Sequence, residues 1–100
     1  MCLLGEIYLK FEWDEEKNKM NIIKHGVSFS DAESVFDDEE AVVLYDEVHS
    51  DYEERFIIIG TDSKYRELTV CHCYRDDETV IRIISARKAT KRELLLYEKG

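Results

Sequence analysis

Along this chain the apolar positions shift between strand-like alternation and helical spacing, and the shifts mark out its elements. Ile7 to Phe11 alternates enough for a short strand. Asp14 then fits an N-cap, with Glu15 and Glu16 in a first turn that the helix dipole favours. The spacing predicts a helix to about Lys24, presenting Met20 and Ile23 with Ile22 beside them. Gly26 is placed to end it in a left-handed conformation, after Lys24 and His25 in the last turn. Ser30-Asp31-Ala32-Glu33 has the form of a capping box, so a second short helix is expected from about Asp31 to Phe36. Phe29, Ala32, Val35 and Phe36 would form its buried stripe.

The acidic stretch Asp37 to Glu40 breaks that helix, and four strands are expected after it: Ala41 to Tyr45, Arg55 to Gly60, Glu67 to Arg75, and Thr79 to Ala86. Thr61 to Tyr65 and Asp76 to Glu78 are short enough for hairpin loops. Phe56-Ile57-Ile58-Ile59 is apolar on both faces, which places it centrally in the sheet. Thr90-Lys91-Arg92-Glu93 is another capping box and opens a last helix to about Glu98. The expected fold class is α+β. An N-terminal strand and two helices precede a four-stranded antiparallel meander and a C-terminal helix, with helices over one face of the sheet.

One hundred residues at 44% hydrophobic content are enough for one core and too apolar for disorder, so residues 1–100 read as a single domain. No apolar run is long enough to span a bilayer. Residues Met1 to Leu9 contain Glu6 and lack a basic start, which argues against an ordinary signal peptide and makes the cytoplasm the expected compartment, with no membrane. Cys71 and Cys73 share one face of a strand about 7 Å apart, too far for a disulfide. His72 points to the other face, so Cys-His-Cys is no metal cluster, and neither a metal nor another cofactor is expected.

The net charge of −9 opposes indiscriminate nucleic-acid binding. It is unevenly spread. From Arg82 onward six basic residues face two acidic ones, a balance of +4, so the first 81 residues carry −13. A basic end on an acidic body suits a polyanion or an acidic partner.

By strict alternation Val80, Arg82, Ile84 and Ala86 share one face of the last strand, and Ile81, Ile83, Ser85 and Arg87 the other. In the strand before it, Leu68, Val70, His72 and Tyr74 oppose Thr69, Cys71, Cys73 and Arg75. One face can therefore offer Arg82 with His72 or Tyr74, while the final helix brings Lys91, Arg92, Glu93 and Tyr97 nearby. Such a set suits metal-free RNA cleavage: a base takes the 2′-hydroxyl proton, an acid protonates the leaving 5′-oxygen, and arginines hold the charge that builds on phosphorus. Glu93 reads first as a capping carboxylate and Tyr97 first as a core aromatic, whereas Arg82 reads equally as an exposed or ion-paired strand residue. Lys17, Asn21 and Lys24 fall on one helical face, where they would touch phosphate with His25 as acid or base, or form a solvated surface. His49, among Asp46, Glu47, Asp51, Glu53 and Glu54, reads as part of a solvated acidic loop.

Taken together, these residues resemble the BrnT family of type II toxin–antitoxin systems. The resemblance runs through Phe11-Glu12-Trp13-Asp14-Glu15-Glu16-Lys17, through Asn21-Ile22-Ile23-Lys24-His25-Gly26-Val27-Ser28-Phe29, and through Arg55 to Gly60. It closes with Ile81-Arg82-Ile83-Ile84-Ser85-Ala86-Arg87-Lys88-Ala89-Thr90, Glu93 and Tyr97. It implies a RelE-like ribonuclease fold and a metal-independent endoribonuclease that inhibits translation. It further implies neutralisation by a BrnA-type ribbon-helix-helix antitoxin, with operator DNA contacted only through that antitoxin. Arg82, Arg87, His25, Glu93 and Tyr97 become the candidate catalytic residues, and Lys17, Lys24, Lys88 and Lys91 the candidate RNA contacts. A non-catalytic protein that serves only as co-repressor with the antitoxin is the alternative. Met1 to Leu9 precedes the usual start of such proteins and reads as an extension or a misassigned start. Cys71-His72-Cys73-Tyr74 departs from the family's valine- and tyrosine-rich pattern.

Overall fold

The computed structural model describes residues 2–4 and 7–99, with side chains for residues 10–98. Two strands, β1 (Cys2–Leu4) and β2 (Ile7–Glu12), lead into helices α1 (Glu15–His25) and α2 (Phe29–Glu33) and a 3₁₀ turn at Ser34–Asp37. Strands β3 (Val42–Tyr45), β4 (Phe56–Thr61), β5 (Glu67–Arg75) and β6 (Val80–Lys88) follow, then helix α3 (Lys91–Lys99). The expected meander is present: β3, β4, β5 and β6 pair antiparallel in succession, and β4 is interior. The sheet has six strands in the order β1-β2-β6-β5-β4-β3, because β2 adds to β6 in parallel and β1 folds back on β2. Of the residues read as an extension, Met1, Gly5 and Glu6 lie outside the described set, whereas Cys2–Leu4 forms β1.

Local chemistry explains the helix ends. The Asp14 carboxylate accepts from the N–H groups of Glu16 and Lys17, and Gly26 closes α1 at φ 70°, where any side chain would be strained. The second helix starts two residues earlier than its capping box suggested. Ser28, not Ser30, caps it by accepting from Asp31 N–H, which lets Phe29 enter the core from the first turn. The expected stripe holds: Phe29, Ala32 and Val35 are fully buried and Phe36 packs against them, over Ile58, Leu68, Val70, Ile83 and Ala86 of the sheet.

In helix α1, Asn21 does not join Lys17 and Lys24 on a solvated face. Met20 and Ile23 are 63% and 79% exposed, and the buried residue of the helix is Asn21. Asn21 Nδ2 donates to the carbonyls of Val27 and Ala86, and its Oδ1 accepts from Ala86 N–H. Asn18 Oδ1 accepts from Phe29 N–H. Because β2 reaches only as far as Arg82, the lower half of β6 is a free edge there, and an asparagine can satisfy it where an isoleucine cannot. The helix is held by amides rather than by its apolar stripe.

A register shift between Cys71 and His72 inserts Ile84 as an extra residue in β6. It resets alternation. Arg82, Ser85 and Arg87 stand opposite Cys73, Cys71 and Thr69 and share their face, while Ile83 and Ala86 stay with His72 and Val70 under the helices. Arg82 therefore does not meet His72 or Tyr74. Helix α3 reaches the face opposite α1 and α2, through Glu93 to Thr69 and Tyr97 to Thr61, so the helices do not all cover one side.

His72 is fully buried among Phe36, Phe56 and Tyr74, and burial lowers its pKa from 6.5 to about 4. Between those values the unfolded chain binds a proton that the folded chain refuses. Stability should accordingly fall as the pH drops from 6.5 toward 4, by about 3 kcal/mol for this group. Urea unfolding at pH 7 and pH 5 reads the loss, and His72→Gln should flatten it.

Candidate functional site

Two concavities meet at the β6 bulge. The first, about 170 Å³, opens on the outer face of the sheet and is lined by Asp46, His49, Arg55, Ile57, Thr69, Cys71, Ile84, Ser85 and Arg87. The second, about 330 Å³, lies between α1 and the free edge of β6, lined by Asp14, Glu16, Lys17, Met20, Asn21, Lys24, His25, Ile84 and Ser85. Ile84 and Ser85 border both. The extra residue that turns Arg87 outward also places Ser85 on the ridge between the two.

Arg87 is the more constrained of the two arginines that line the first concavity. Its Nη1 and Nη2 donate to the two oxygens of Glu93 at 2.7 and 2.9 Å, and Nη1 also reaches the carbonyl of Lys88. Glu93 Oε1 additionally accepts from Thr69 Oγ1 and Thr90 N–H, as the capping box requires. With Arg87 foremost among these donors, the Glu93 pKa drops to about 2, and Arg87 is raised in turn. Glu93 is thus an ionised, fully engaged carboxylate that orients Arg87, and its oxygens are not free for proton transfer. The end-on pairing leaves the Nε–H and second Nη2–H of Arg87 without a hydrogen bond among the described residues. That edge is a ready fork for two phosphate oxygens.

In the same concavity the Arg55 side chain makes one long contact, Nε to Glu53 at 3.4 Å, and both its Nη groups are without a hydrogen bond among the described residues. His49 Nδ1 lies 2.9 Å from Asp46 Oδ2. With the carboxylate accepting from Nδ1–H, Nε2 is the basic nitrogen, in the manner of an acid-oriented general base. The Cys71 thiol is raised by burial and stays protonated, which removes it as a nucleophile. His49 was passed over in the sequence because a loop has no period to converge its side chains. The three-residue spacing from Asp46, which lets the loop turn close a hydrogen bond, was the one local signal.

The other candidates are dispersed. Arg82 lies on the same face as Arg87 but about 13 Å along the strand, at about 3.3 Å per residue, too far to share one phosphate. Its Nη1 donates to Glu12 at 2.6 Å. Lys17, Lys24 and His25 border the second concavity, and Lys88 borders a third of about 290 Å³ with Arg66, Glu67, Ala89 and Leu94. Lys91 is exposed at the start of α3. Tyr97 donates to Asp38 at 2.6 Å and lies 2.9 Å from Thr61 Oγ1, which ties α3 to the end of β4 and raises its pKa, chiefly through Asp38. A larger cleft, about 780 Å³, sets Glu53, Glu54, Asp76, Asp77 and Glu78 against the single cation Arg75, itself paired with Glu53, and its net negative charge would repel a phosphate backbone. Among the described residues no three His, Cys, Asp or Glu side chains converge as a metal site, and no helix is long and apolar enough to cross a membrane.

Residues 13–93 match the family described as ribonuclease toxin, BrnT, of type II toxin–antitoxin systems. The crystal structure of the Brucella abortus ribonuclease toxin BrnT superposes with a TM-score of 0.64 at 27% identity, over 83% of this chain and 99% of that one. A comparison with curated proteins finds no match. The outward arginines of β6 and the β-rich α+β frame thus sit in a sequence with a known kinship: the chain belongs to the BrnT family of ribonuclease toxins.

Proposed function

We propose that this protein is a metal-independent endoribonuclease that inhibits translation, and that RNA is cut at the outer concavity of the sheet. The observation that carries the reading is Arg87, which keeps its Nε/Nη2 edge unengaged among the described residues and lines the same hollow as Arg55 and the His49–Asp46 pair. His49 Nε2 takes the proton of a ribose 2′-hydroxyl. The 2′-oxygen attacks phosphorus, the bond to the 5′-oxygen breaks, and that oxygen takes a proton from water as it leaves, giving a 2′,3′-cyclic phosphate and a 5′-hydroxyl. Arg87 and Arg55 hold the charge that builds on the phosphoryl oxygens. His25 in the adjoining groove is the second titratable group, and Lys17 and Lys24 beside it hold the flanking backbone. Arg82, Lys88 and Lys91 lie farther out as contacts to neighbouring phosphates, Glu93 positions Arg87, and Tyr97 anchors α3. In this reading residues 1–100 act as one domain in the cytoplasm. The antitoxin that a type II toxin implies is of the BrnA ribbon-helix-helix kind, and it alone touches operator DNA.

The test is cleavage of total RNA, mapped by primer extension, with EDTA present throughout. The wild-type protein should cut, and His49→Ala should cut about 10²-fold more slowly. Full activity in His49→Ala removes the histidine from the mechanism. No cleavage by wild type at high concentration favours the alternative, a binding partner that acts only as co-repressor.

A further inference from the structure

Strand β3 ends the sheet, and its outer side is unpaired among the described residues. Asp46 N–H donates to the carbonyl of Arg55 at 2.9 Å, continuing the β3–β4 register. Hydrogen-bonded pairs alternate along an antiparallel ladder, so Leu44 and Val42 also face β4, and Val43 and Tyr45 turn their N–H and C=O groups outward. The side chains of the same two residues are each 49% exposed. Tyr45 continues inward to Phe56, which packs on Tyr74, so the apolar surface extends past the strand itself. Apart from its shortness the edge lacks the usual protections: Val42-Val43-Leu44-Tyr45 has no lysine, proline or inward charge.

We infer that β3 is a docking edge, which takes up an extended, basic peptide segment of a protein partner as an added strand. Charge selects that occupant. Residues 26–54 hold eleven carboxylates and no lysine or arginine, with Glu39 and Glu40 just before the strand and Glu47 just after it. A second copy of this chain is disfavoured in both orientations. Antiparallel self-pairing centred between Val43 and Leu44 sets Glu40 against Glu47, and parallel pairing sets each carboxylate against its own copy. A segment alternating cationic and apolar residues would meet both features at once, its apolar side chains against Val43 and Tyr45 and its cations beside the flanking glutamates. The inference stands apart from the ribonuclease reading, since neither Arg87, His49 nor Glu93 lies in β3.

The probe is a synthetic peptide that alternates lysine with valine, and its counterpart with glutamate for lysine, titrated into the isotope-labelled protein and followed by amide NMR. The lysine peptide should shift the Val43 and Tyr45 amides and protect them from exchange, and the glutamate peptide should not. Val43→Pro removes one outward N–H at an edge position that tolerates proline, and should weaken the lysine peptide about tenfold. Val43→Lys, which keeps the backbone but opposes a cation, should weaken it as well. Equal response to both peptides, or shifts confined to the acidic turn at Asp76 to Glu78, overturns the docking edge. Concentration-dependent self-association that Val43→Lys abolishes overturns the choice of occupant.

Discussion

Replacing Arg87 with alanine is expected to slow RNA cleavage about 10³-fold while leaving the fold intact. The argument rests on what holds the guanidinium. Both Nη groups are committed to Glu93, itself fixed by Thr69 and by the first turn of α3, so the free Nε/Nη2 edge has a set direction before any substrate arrives. A donor pair that need not reorganise contributes most where charge develops, in the transition state, and its loss should appear in kcat more than in KM. Arg87→Lys should recover little, because an ammonium pairs with Glu93 or with phosphate but offers no second directed edge. Glu93→Gln is the informative companion: it leaves Arg87 in place but loosens its aim, so cleavage should fall less than in Arg87→Ala. Thermal unfolding of each variant separates this from simple destabilisation. Unchanged cleavage in a folded Arg87→Ala protein would move the chemistry elsewhere.

Elements bounded by local signals could be read from the chain. Asp14 and Gly26 close α1 by hydrogen bonds and backbone conformation that depend on neighbours in sequence, and β5 spans Glu67–Arg75 as its alternation indicates. The capping box at Thr90 holds too, with Glu93 N–H donating to Thr90 Oγ1. What failed depended on long-range pairing. Asn21 read with Lys17 and Lys24 as a phosphate-contacting or solvated face because helical spacing says nothing about an unpaired strand edge, and that edge buries Asn21 while Met20 and Ile23 stay exposed. The family resemblance already included Asn21, but only the partner strand reveals why an amide is needed.

The site follows the same division. Arg87 and Glu93 could be picked out from charge and capping pattern, yet strict alternation put Arg82 and Arg87 on opposite faces. The bulge at Ile84 is set by how β5 and β6 pair, and it brings them to one face. His49 was set aside as loop because the residues that share its hollow come from separate segments: Arg55 just before β4, Thr69 from β5, and Arg87 from β6. The net charge of −9, awkward for a nuclease, is also resolved by position. Glu53, Glu54, Asp76, Asp77 and Glu78 outnumber Arg75 around the large cleft, and Arg55 and Arg87 face the smaller hollow beside the bulge.

Asn21→Leu is expected to destabilise the fold by about 4 kcal/mol, more than any single apolar truncation on α1. Leucine has the same branched four-atom skeleton as asparagine in bulkier form and keeps water out, so the carbonyls of Val27 and Ala86 and the N–H of Ala86 lose this partner without gaining a solvent one. Asn21→Asp tests the donors separately. It preserves an acceptor for Ala86 N–H but sets a carboxylate against two carbonyl oxygens, and should cost about as much. Ile23→Ser, on the exposed side of the same helix, should change stability by less than about 0.5 kcal/mol. Urea unfolding of the three variants measures the contrast. A small effect for Asn21→Leu together with a large one for Ile23→Ser would mean that α1 is held by its apolar stripe after all. Because Ala86 precedes Arg87 in β6, loosening this edge should also blur the aim of the guanidinium, so residual cleavage in a still-folded Asn21 variant should fall in kcat before KM.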